Sequence, residues 1–441
     1  MSRSKELFAS AQALFPGGST RATLVRQPFP IYVARGEGCH LIDVDGRAYV
    51  DLDNNFTALV HGHANPAIVE TLVEQAQLGT CFGAPTQSEL LLASMLQQRN
   101  PAFSKIRFCN TGTEAVMIAI KAARAFSGRQ RVLKLEGAYH GWYDDVEIAL
   151  DSPPDVWAGE FPPARRYNSG LSDASGQTLV SIHNDIALTE KIILKHHDEI
   201  ACVLLDPLPS RAGLVPATPE FVRSVRALCD RFGLILISDE VLSYRLAEAG
   251  AIAQYGVTPD LWTLGKVIGG GMPIGALCGR SDIMSVFESK TGRPPILHGG
   301  TFTANPMSMV AGIASLRMLE GAQIERINRL GDTTRTVLNQ RFGKAGIPAA
   351  VTGFGSLLRL HLKPSAPSDY RTAYVGDRER AALAAIIRDL LDEGYYLPTT
   401  GMMSISSPMD RGIVDALAEA VFNAVANQYE RAPWTESALP A

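Results

Sequence analysis

Three short apolar runs in the middle of the chain each end in an ionisable side chain. Leu205 is followed by Asp206-Pro207, Ile237 by Ser238-Asp239-Glu240, and Leu264 by Gly265-Lys266. A charge at the inner end of a strand is desolvated and must be neutralised or put to use. The two aspartates lie 33 residues apart and Lys266 follows Asp239 by 27, so each interval holds one strand–helix–strand crossover. Parallel strands would bring all three groups to one sheet edge, where open α/β sheets bind ligands. A single strand-end acid usually caps a helix or holds a loop. Two acids and a lysine on one edge point instead to a site.

Three further stretches add chemistry. Asn110-Thr111-Gly112-Thr113-Glu114-Ala115 joins a predicted strand to a predicted helix. Gly112 permits close backbone approach, Thr113 offers a hydroxyl, and the free amides of a helix start attract an anion. Taken alone, this reads better as an ordinary N-cap followed by a helpful Glu114. Glu136-Gly137-Ala138-Tyr139-His140-Gly141-Trp142 brackets a Tyr-His pair with glycines after a strand, a loop suited to laying an aromatic face over a flat ligand. His298-Gly299-Gly300-Thr301-Phe302-Thr303 precedes another helix; it reads either as a plain loop and helix start or as offering Thr301 as a second phosphate donor. A lysine, an acid, a stacking aromatic and an anion-binding helix start together fit pyridoxal 5'-phosphate. The lysine forms a Schiff base with its aldehyde, and the acid keeps its ring protonated as an electron sink. The G-x-G-x-x-G dinucleotide fingerprint is absent, and Lys266 precedes its glycines, Gly269-Gly270-Gly271, so it is not a P-loop lysine.

The elements that must position these residues alternate between strand and helix. Strands are predicted at Ile106–Cys109, Val132–Leu135, Cys202–Leu205, Leu234–Ile237, Leu261–Leu264 and Ile274–Cys278, with helices over 113–127, ended by Gly128, and 219–232. This pattern implies an α/β fold with a parallel or mixed sheet covered by helices. A helix over 5–15, short strands from Ile31 to Leu52 with an Asp45-Gly46 turn, and a helix after Asn65-Pro66 come first. A long helical region over 307–343, broken near Glu320-Gly321, is followed by a strand at Ser356–Leu362, helices over 379–393 and 411–429, and a loose tail from Ala432. The expected division is an N-terminal segment, 1–60, contributing to a smaller domain, a large domain over 61–315, and a C-terminal α+β domain over 316–441.

Composition bounds the rest. The 441 residues are 46% apolar and 20% charged, as in a globular protein with a large core. A net charge of -4 makes no electrostatic case for nucleic acid or an anionic membrane, and no apolar run reaches spanning length. Six scattered cysteines form no C-x-x-C pair and nine histidines show no metal-ligand spacing, which points to a cytoplasmic protein with no metal site.

With these motifs in place, the chain resembles the class III (ornithine/GABA-type) pyridoxal-phosphate aminotransferases of fold type I. Within them it is most similar to the glutamate-1-semialdehyde aminomutase and β-phenylalanine aminotransferase branch. The resemblance rests on Asn110–Ala115, Tyr139-His140-Gly141, Asp239-Glu240-Val241, Leu264-Gly265-Lys266 and Gly300-Thr301-Phe302, and runs from Phe15-Pro16-Gly17-Gly18 into the C-terminal domain. It implies that Lys266 is the Schiff-base lysine and proton shuttle and that Asp239 pairs with the ring nitrogen. It further implies that Val241 and Tyr139 cover the two ring faces, with His140 and Asp206 also at the cofactor, and that Gly112 and Thr113 bind the phosphate. Thr301 would reach the phosphate of a neighbouring subunit in a homodimer. The glycines after Lys266 would let the chain pass close to cofactor and partner.

Departures from the family pattern bear on the substrate. Asp206-Pro207 stands where many members have Glu-Pro. Pro209-Ser210-Arg211 replaces Gln-Gly-Glu, putting an arginine in the place of an acid. The turn Pro398-Thr399-Thr400-Gly401 lacks the expected arginine. Arg21, matching the branch's carboxylate-binding arginine, Phe56, at an aromatic position of its pocket, and Arg211 are the candidate substrate residues. The reading is an aminotransferase acting between an amino acid, a β-amino acid included, or an amine and a keto acid or aldehyde. The alternative is an isomerase, an aminomutase or racemase, which shares every cofactor contact and differs in retaining its keto intermediate. A non-catalytic cofactor-binding protein is disfavoured because Lys266 and Asp239 are both present.

Overall fold

The computed structural model describes residues 2–172, 176–289 and 291–434. The chain divides into two compact units, one of 67–326 with 367–374, the other of 1–66, 327–366 and 375–441. The short return of 367–374 to the first of these carries no signal in the sequence.

The larger unit is built on a seven-stranded sheet. Its strands in chain order are β1 (Lys105–Cys109), β2 (Arg131–Leu135), β3 (Thr178–Ser181), β4 (Ile200–Leu205), β5 (Ile235–Asp239), β6 (Leu261–Gly265) and β7 (Gly275–Gly279). Their spatial order is β1-β7-β6-β5-β4-β2-β3. Only β7 runs antiparallel to its neighbours, pairing Gly275 with Cys109 on one side and with Gly265 on the other. The expected parallel or mixed α/β sheet is therefore present. β4, β5 and β6 are adjacent and parallel, with Leu205 opposite Ser238 and Asp239 opposite Thr263.

Every residue of β4, β5 and β6 is buried, which explains why these runs are continuously apolar rather than alternating. The Gly112–Ser127 helix ends on Gly128 in the left-handed conformation and places Ala115, Val116, Ala119 and Ile120 in one buried cluster with Cys202, Leu204, Ile235, Ile237 and Leu277. Small residues let this helix lie close to the sheet, and each fully buried Ile or Leu contributes about 1.5–3 kcal/mol. The helix over Pro219–Phe232 has the predicted bounds, with Pro219 at its first turn and Gly233 as a left-handed cap.

The smaller unit holds two sheets. Val33–Glu37, His40–Asp43 and Ala48–Asp51 form an antiparallel meander, joined in parallel by Tyr395–Tyr396. At its predicted turn, Asp43 Oδ1 accepts from the amides of Asp45 and Arg47. Ala350–Phe354, Leu357–His361 and Met402–Ser404 form the second, antiparallel sheet, with helices over Asp377–Asp392 and Arg411–Arg431.

One expectation needs correction. The tail is not loose from Ala432: Trp434 is buried, its indole nitrogen donating to the Pro348 carbonyl at 3.2 Å, while 435–441 lie outside the described residues. The glycines after Lys266 also pack closely on the chain itself, beside the room the resemblance implies for cofactor and partner. Gly270 has φ 58°, and a Cβ there would stand 2.4 Å from the Ala311 carbonyl oxygen of the Pro306–Met318 helix. A Cβ at Gly269 would stand 2.5 Å from Ile274. Among the described residues no helix is long and apolar enough to cross a membrane.

Candidate active site

The larger unit gathers Asp206, Asp239 and Lys266 at the C-terminal ends of β4, β5 and β6, since each is the last residue of its strand or directly follows it. Asp239 is buried and held from three sides. His140 Nδ1 donates to Oδ2 at 2.7 Å, and Thr263 Oγ1 and the Val241 amide donate to Oδ1 at 3.0 and 3.1 Å. Burial pushes the His140 imidazole below its ordinary range, against the opposing pull of Asp239. The nitrogen facing Asp239 carries a proton in this hydrogen bond. The ring's other nitrogen is buried without a partner among the described residues. The sequence placed His140 near the cofactor; its bond to Asp239 and the supporting role of Thr263 emerge only in three dimensions. Thr263 does leave a trace in the sequence, as the lone hydroxyl in an apolar strand.

Burial pushes Asp206 well above the usual carboxylate range, with the charge of Asp239 next in effect and Lys266 opposing. Its Oδ1 accepts from the Leu208 amide at 2.8 Å, which shapes the loop that follows. Lys266 is half-buried and adopts φ 49°, a left-handed conformation that is uncommon for a residue with a Cβ. Such strain at a strand end is typical of functional positions. Glu240, beside Asp239, is turned away from this edge. It is fully buried and accepts from Ser243 Oγ and the amides of Ala251 and Ile252.

The helix start is assembled against the same edge. Thr111 Oγ1 caps the Glu114 amide at 3.0 Å, and Glu114 Oε2 reaches back to the Asn110 amide at 2.7 Å. The Gly112 and Thr113 amides carry no hydrogen bond among the described residues. A Cβ on Gly112 would stand 2.7 Å from Val241 Cγ1, and one on Gly141 would stand 2.4 Å from Thr113 Oγ1. Both glycines are therefore required by close packing. They lock together the helix start, the Tyr139-His140-Gly141 loop and the Asp239-Val241 strand end.

Tyr139 is 42% exposed, with its hydroxyl pushed up by burial and lowered by the charge of Arg211. The Arg211 guanidinium carbon stands 5.6 Å from the Tyr139 ring centroid and 5.1 Å from that of Tyr167. Thr301 lies on an exposed turn, its carbonyl receiving the Cys81 thiol at 3.6 Å. No described contact joins it to Asp239, Thr113 or Lys266. Arg21 and Phe56 belong to the other unit and meet there. Arg21 Nη1 donates to Asn55 Oδ1 at 3.1 Å, and its guanidinium lies 4.9 Å from the Phe56 ring centroid.

A buried carboxylate with its own donors, a lysine on the next strand and two unbonded amides at a helix N-terminus match the three polar features of pyridoxal phosphate: ring nitrogen, aldehyde and phosphate. The comparisons agree. The family model for class-III aminotransferases matches residues 22–427. The chain is 36% identical over 399 residues to a glutamate-1-semialdehyde 2,1-aminomutase of Anaeromyxobacter sp. (strain Fw109-5), covering 90% of this chain and 91% of that protein. Its structure is similar to that of an omega-transaminase from Sphaerobacter thermophilus, with 41% identity, TM-score 0.92 and coverage of 97% and 98% of the two chains. It is also similar to that of a β-phenylalanine aminotransferase from Variovorax paradoxus, with 31% identity, TM-score 0.88 and coverage of 98% and 95%. The chain thus belongs to the class-III aminotransferases, fold type I enzymes that work with pyridoxal 5'-phosphate.

Proposed function

We propose that Lys266 is the catalytic amine of this aminotransferase, with Asp239 and Tyr139 completing the catalytic set. The observation that carries this is the position of Lys266 at the strand end adjacent to that of a triply held Asp239. When bound, pyridoxal phosphate supplies an aldehyde that joins an amine and a ring that takes up an electron pair. The protein's own residues do the remaining work. Lys266 Nζ removes the proton from the substrate carbon and returns it to the other reacting carbon. Asp239 would hold its carboxylate toward the ring nitrogen, and His140 keeps that carboxylate oriented. Gly112 and Thr113 would offer amides and a hydroxyl to the phosphate, and Val241 and Tyr139 would pack on the ring.

The donor is an amino acid, a β-amino acid included, or an amine, and the acceptor a keto acid or aldehyde. The omega-transaminase and the β-phenylalanine aminotransferase support that range. Arg21 and Phe56 are substrate-binding residues, and their mutual contact supports a joint role. The enzyme acts as a homodimer in the cytoplasm, Thr301 reaching the partner's phosphate. Exposed Phe302, at 62%, and Phe82, at 47%, adjoin the Cys81–Thr301 contact and suit a subunit interface.

The purified protein should show a visible cofactor band that Lys266→Ala abolishes with the fold retained, and the variant should lose at least about three orders of magnitude in kcat. A colourless native protein after cofactor addition would overturn the reading. The aminomutase relative, at 36% identity, keeps an isomerase in view. Catalytic turnover of a single amino compound without an acceptor would favour it; one stoichiometric half-reaction favours the aminotransferase.

A further inference from the structure

The loop that leaves β4 begins at Asp206 and turns sharply through Gly213, φ 96°, and Leu214, φ 52°, where the Leu214 amide returns to the Pro209 carbonyl at 3.1 Å. This turn of chain carries Arg211 over the Tyr139 ring. The guanidinium is placed there by two aromatic rings at once. It stands 5.6 Å from the Tyr139 centroid and 5.1 Å from the Tyr167 centroid, and Nη2 donates to the Tyr167 hydroxyl at 3.2 Å. Tyr167 is itself fixed beside the isolated antiparallel bridge between Ile148 and Arg166, its amide donating to the Glu147 carbonyl at 3.0 Å. Tyr139 is fixed by its neighbours, since His140 bonds Asp239 and Gly141 packs on Thr113. Arg211 is thus tied through one side chain to the cofactor-facing residues, yet remains half-buried rather than enclosed.

We infer that Arg211 is a specificity-determining residue that receives a carboxylate of the substrate, and that Tyr167 is its positioning residue. The inference rests on the aminotransferase reading and names its substrate class: amino and keto acids in preference to simple amines. Arginine is suited to this because its planar fork donates two parallel hydrogen bonds to one carboxylate. Ring faces on the guanidinium hold that plane before the ligand arrives, so less side-chain freedom is lost on binding. Lysine at the same position would keep the charge but lose the fork and the stacking. The placement is local to this chain: an arginine stands where the family pattern has an acid, on a loop that starts at Asp206 and ends against Tyr139.

The test uses the holoenzyme and two probes of one shape, 3-phenylpropanoate and neutral 3-phenylpropanamide, titrated by calorimetry into native protein, Arg211→Gln, Arg211→Lys and Tyr167→Phe. Arg211→Gln should raise the Kd of the propanoate about ten- to hundredfold, the range of a lost charge-assisted hydrogen bond, and leave that of the amide within about twofold. Arg211→Lys should fall between, and Tyr167→Phe should weaken only the propanoate, by about three- to tenfold. In parallel, kcat/KM should fall for β-phenylalanine and hold for 1-phenylethylamine. An unchanged propanoate Kd in Arg211→Gln, equal losses for acid and amide, or no propanoate binding by the native protein would each overturn the inference. The aminotransferase reading fails by a different sign, the absence of a cofactor band, and the calorimetric comparison reads Arg211 whichever way that falls.

Discussion

At the scale of single residues, the site depends on how one carboxylate is held. Asp239 accepts from His140, Thr263 and Val241. A carboxylate fixed by three donors spends little reorganisation when a cationic ring nitrogen approaches. Thr263→Val keeps the shape of the side chain and removes one donor. It should weaken pyridoxal phosphate binding about fivefold, as expected for a net hydrogen bond of about 1 kcal/mol, with the far-ultraviolet circular dichroism unchanged. Equilibrium dialysis of cofactor against both proteins checks this, and equal affinities would leave Thr263 without a role. Lys266, Asp206 and Asp239 were readable in the sequence because charged residues interrupt apolar strands. The tyrosine clamp on Arg211 was not, since Tyr139, Tyr167 and Arg211 come from separate loops with no shared pattern.

At the scale of elements, the smaller unit contains a feature that strand and helix periodicity does not register. Asn54, Asn55, Phe56 and Thr57 take φ of 49°, 50°, 53° and 75°, a full turn of left-handed backbone made without glycine. Left-handed conformation costs roughly 1–2 kcal/mol at each residue with a Cβ, less for asparagine. Side chains hold it in place. Asp51 Oδ1 accepts from the Asp53 and Asn54 amides, Asp53 Oδ1 from the Phe56 amide, and Asn54 Nδ2 donates to both oxygens of Ser404. Phe56 and Asn55 then present themselves to Arg21. Burial, then the charge of Asp51, pushes Asp53 up to about 6. A carboxyl with a raised folded pKa takes up a proton on folding between its unfolded value, near 4, and about 6, so stability falls as pH rises through that window. Asp53→Asn keeps the acceptor for Phe56 and removes the charge. It should raise the melting temperature at pH 7.5, by an amount equivalent to at most about 3 kcal/mol, and have little effect at pH 4. A variant equally stabilised at both pH values, or destabilised at 7.5, would contradict this account.

At the scale of the whole molecule, the proposed shared site is testable by mixing. Lys266→Ala lacks the amine but keeps Thr301, and Thr301→Val lacks the hydroxyl but keeps Lys266. If Thr301 serves the partner's site, hybrid dimers hold one site with both groups intact. Unfolding and refolding an equimolar mixture should then give more activity than the average of the two parents, by about a quarter of the native level if pairing is random and each parent is nearly inactive. A mixture no more active than that average would place Thr301 with its own subunit's site or with none.

Several large features could be read from the amino-acid sequence alone because they arise from local chemistry. β4, β5 and β6 are continuous apolar runs, and the Gly112–Ser127 and Pro219–Phe232 helices carry their own caps. The break between helices ending at Met318 and starting at Gly321 follows from Glu320-Gly321. Strands of four residues, such as Thr178–Ser181, are too short to show a period and appear only through pairing with Val132–Leu135. The helices Gln87–Arg99 and Ile186–His196 likewise escaped the pattern. The chemistry of Lys266 and Asp239 was legible because it depends on residue type at a strand end. Tertiary structure alone decided which groups hold Asp239, why Gly112, Gly141 and Gly270 must be glycine, and what Arg211 rests against. Each of these depends on distances between segments far apart in the chain, which residue order does not encode locally.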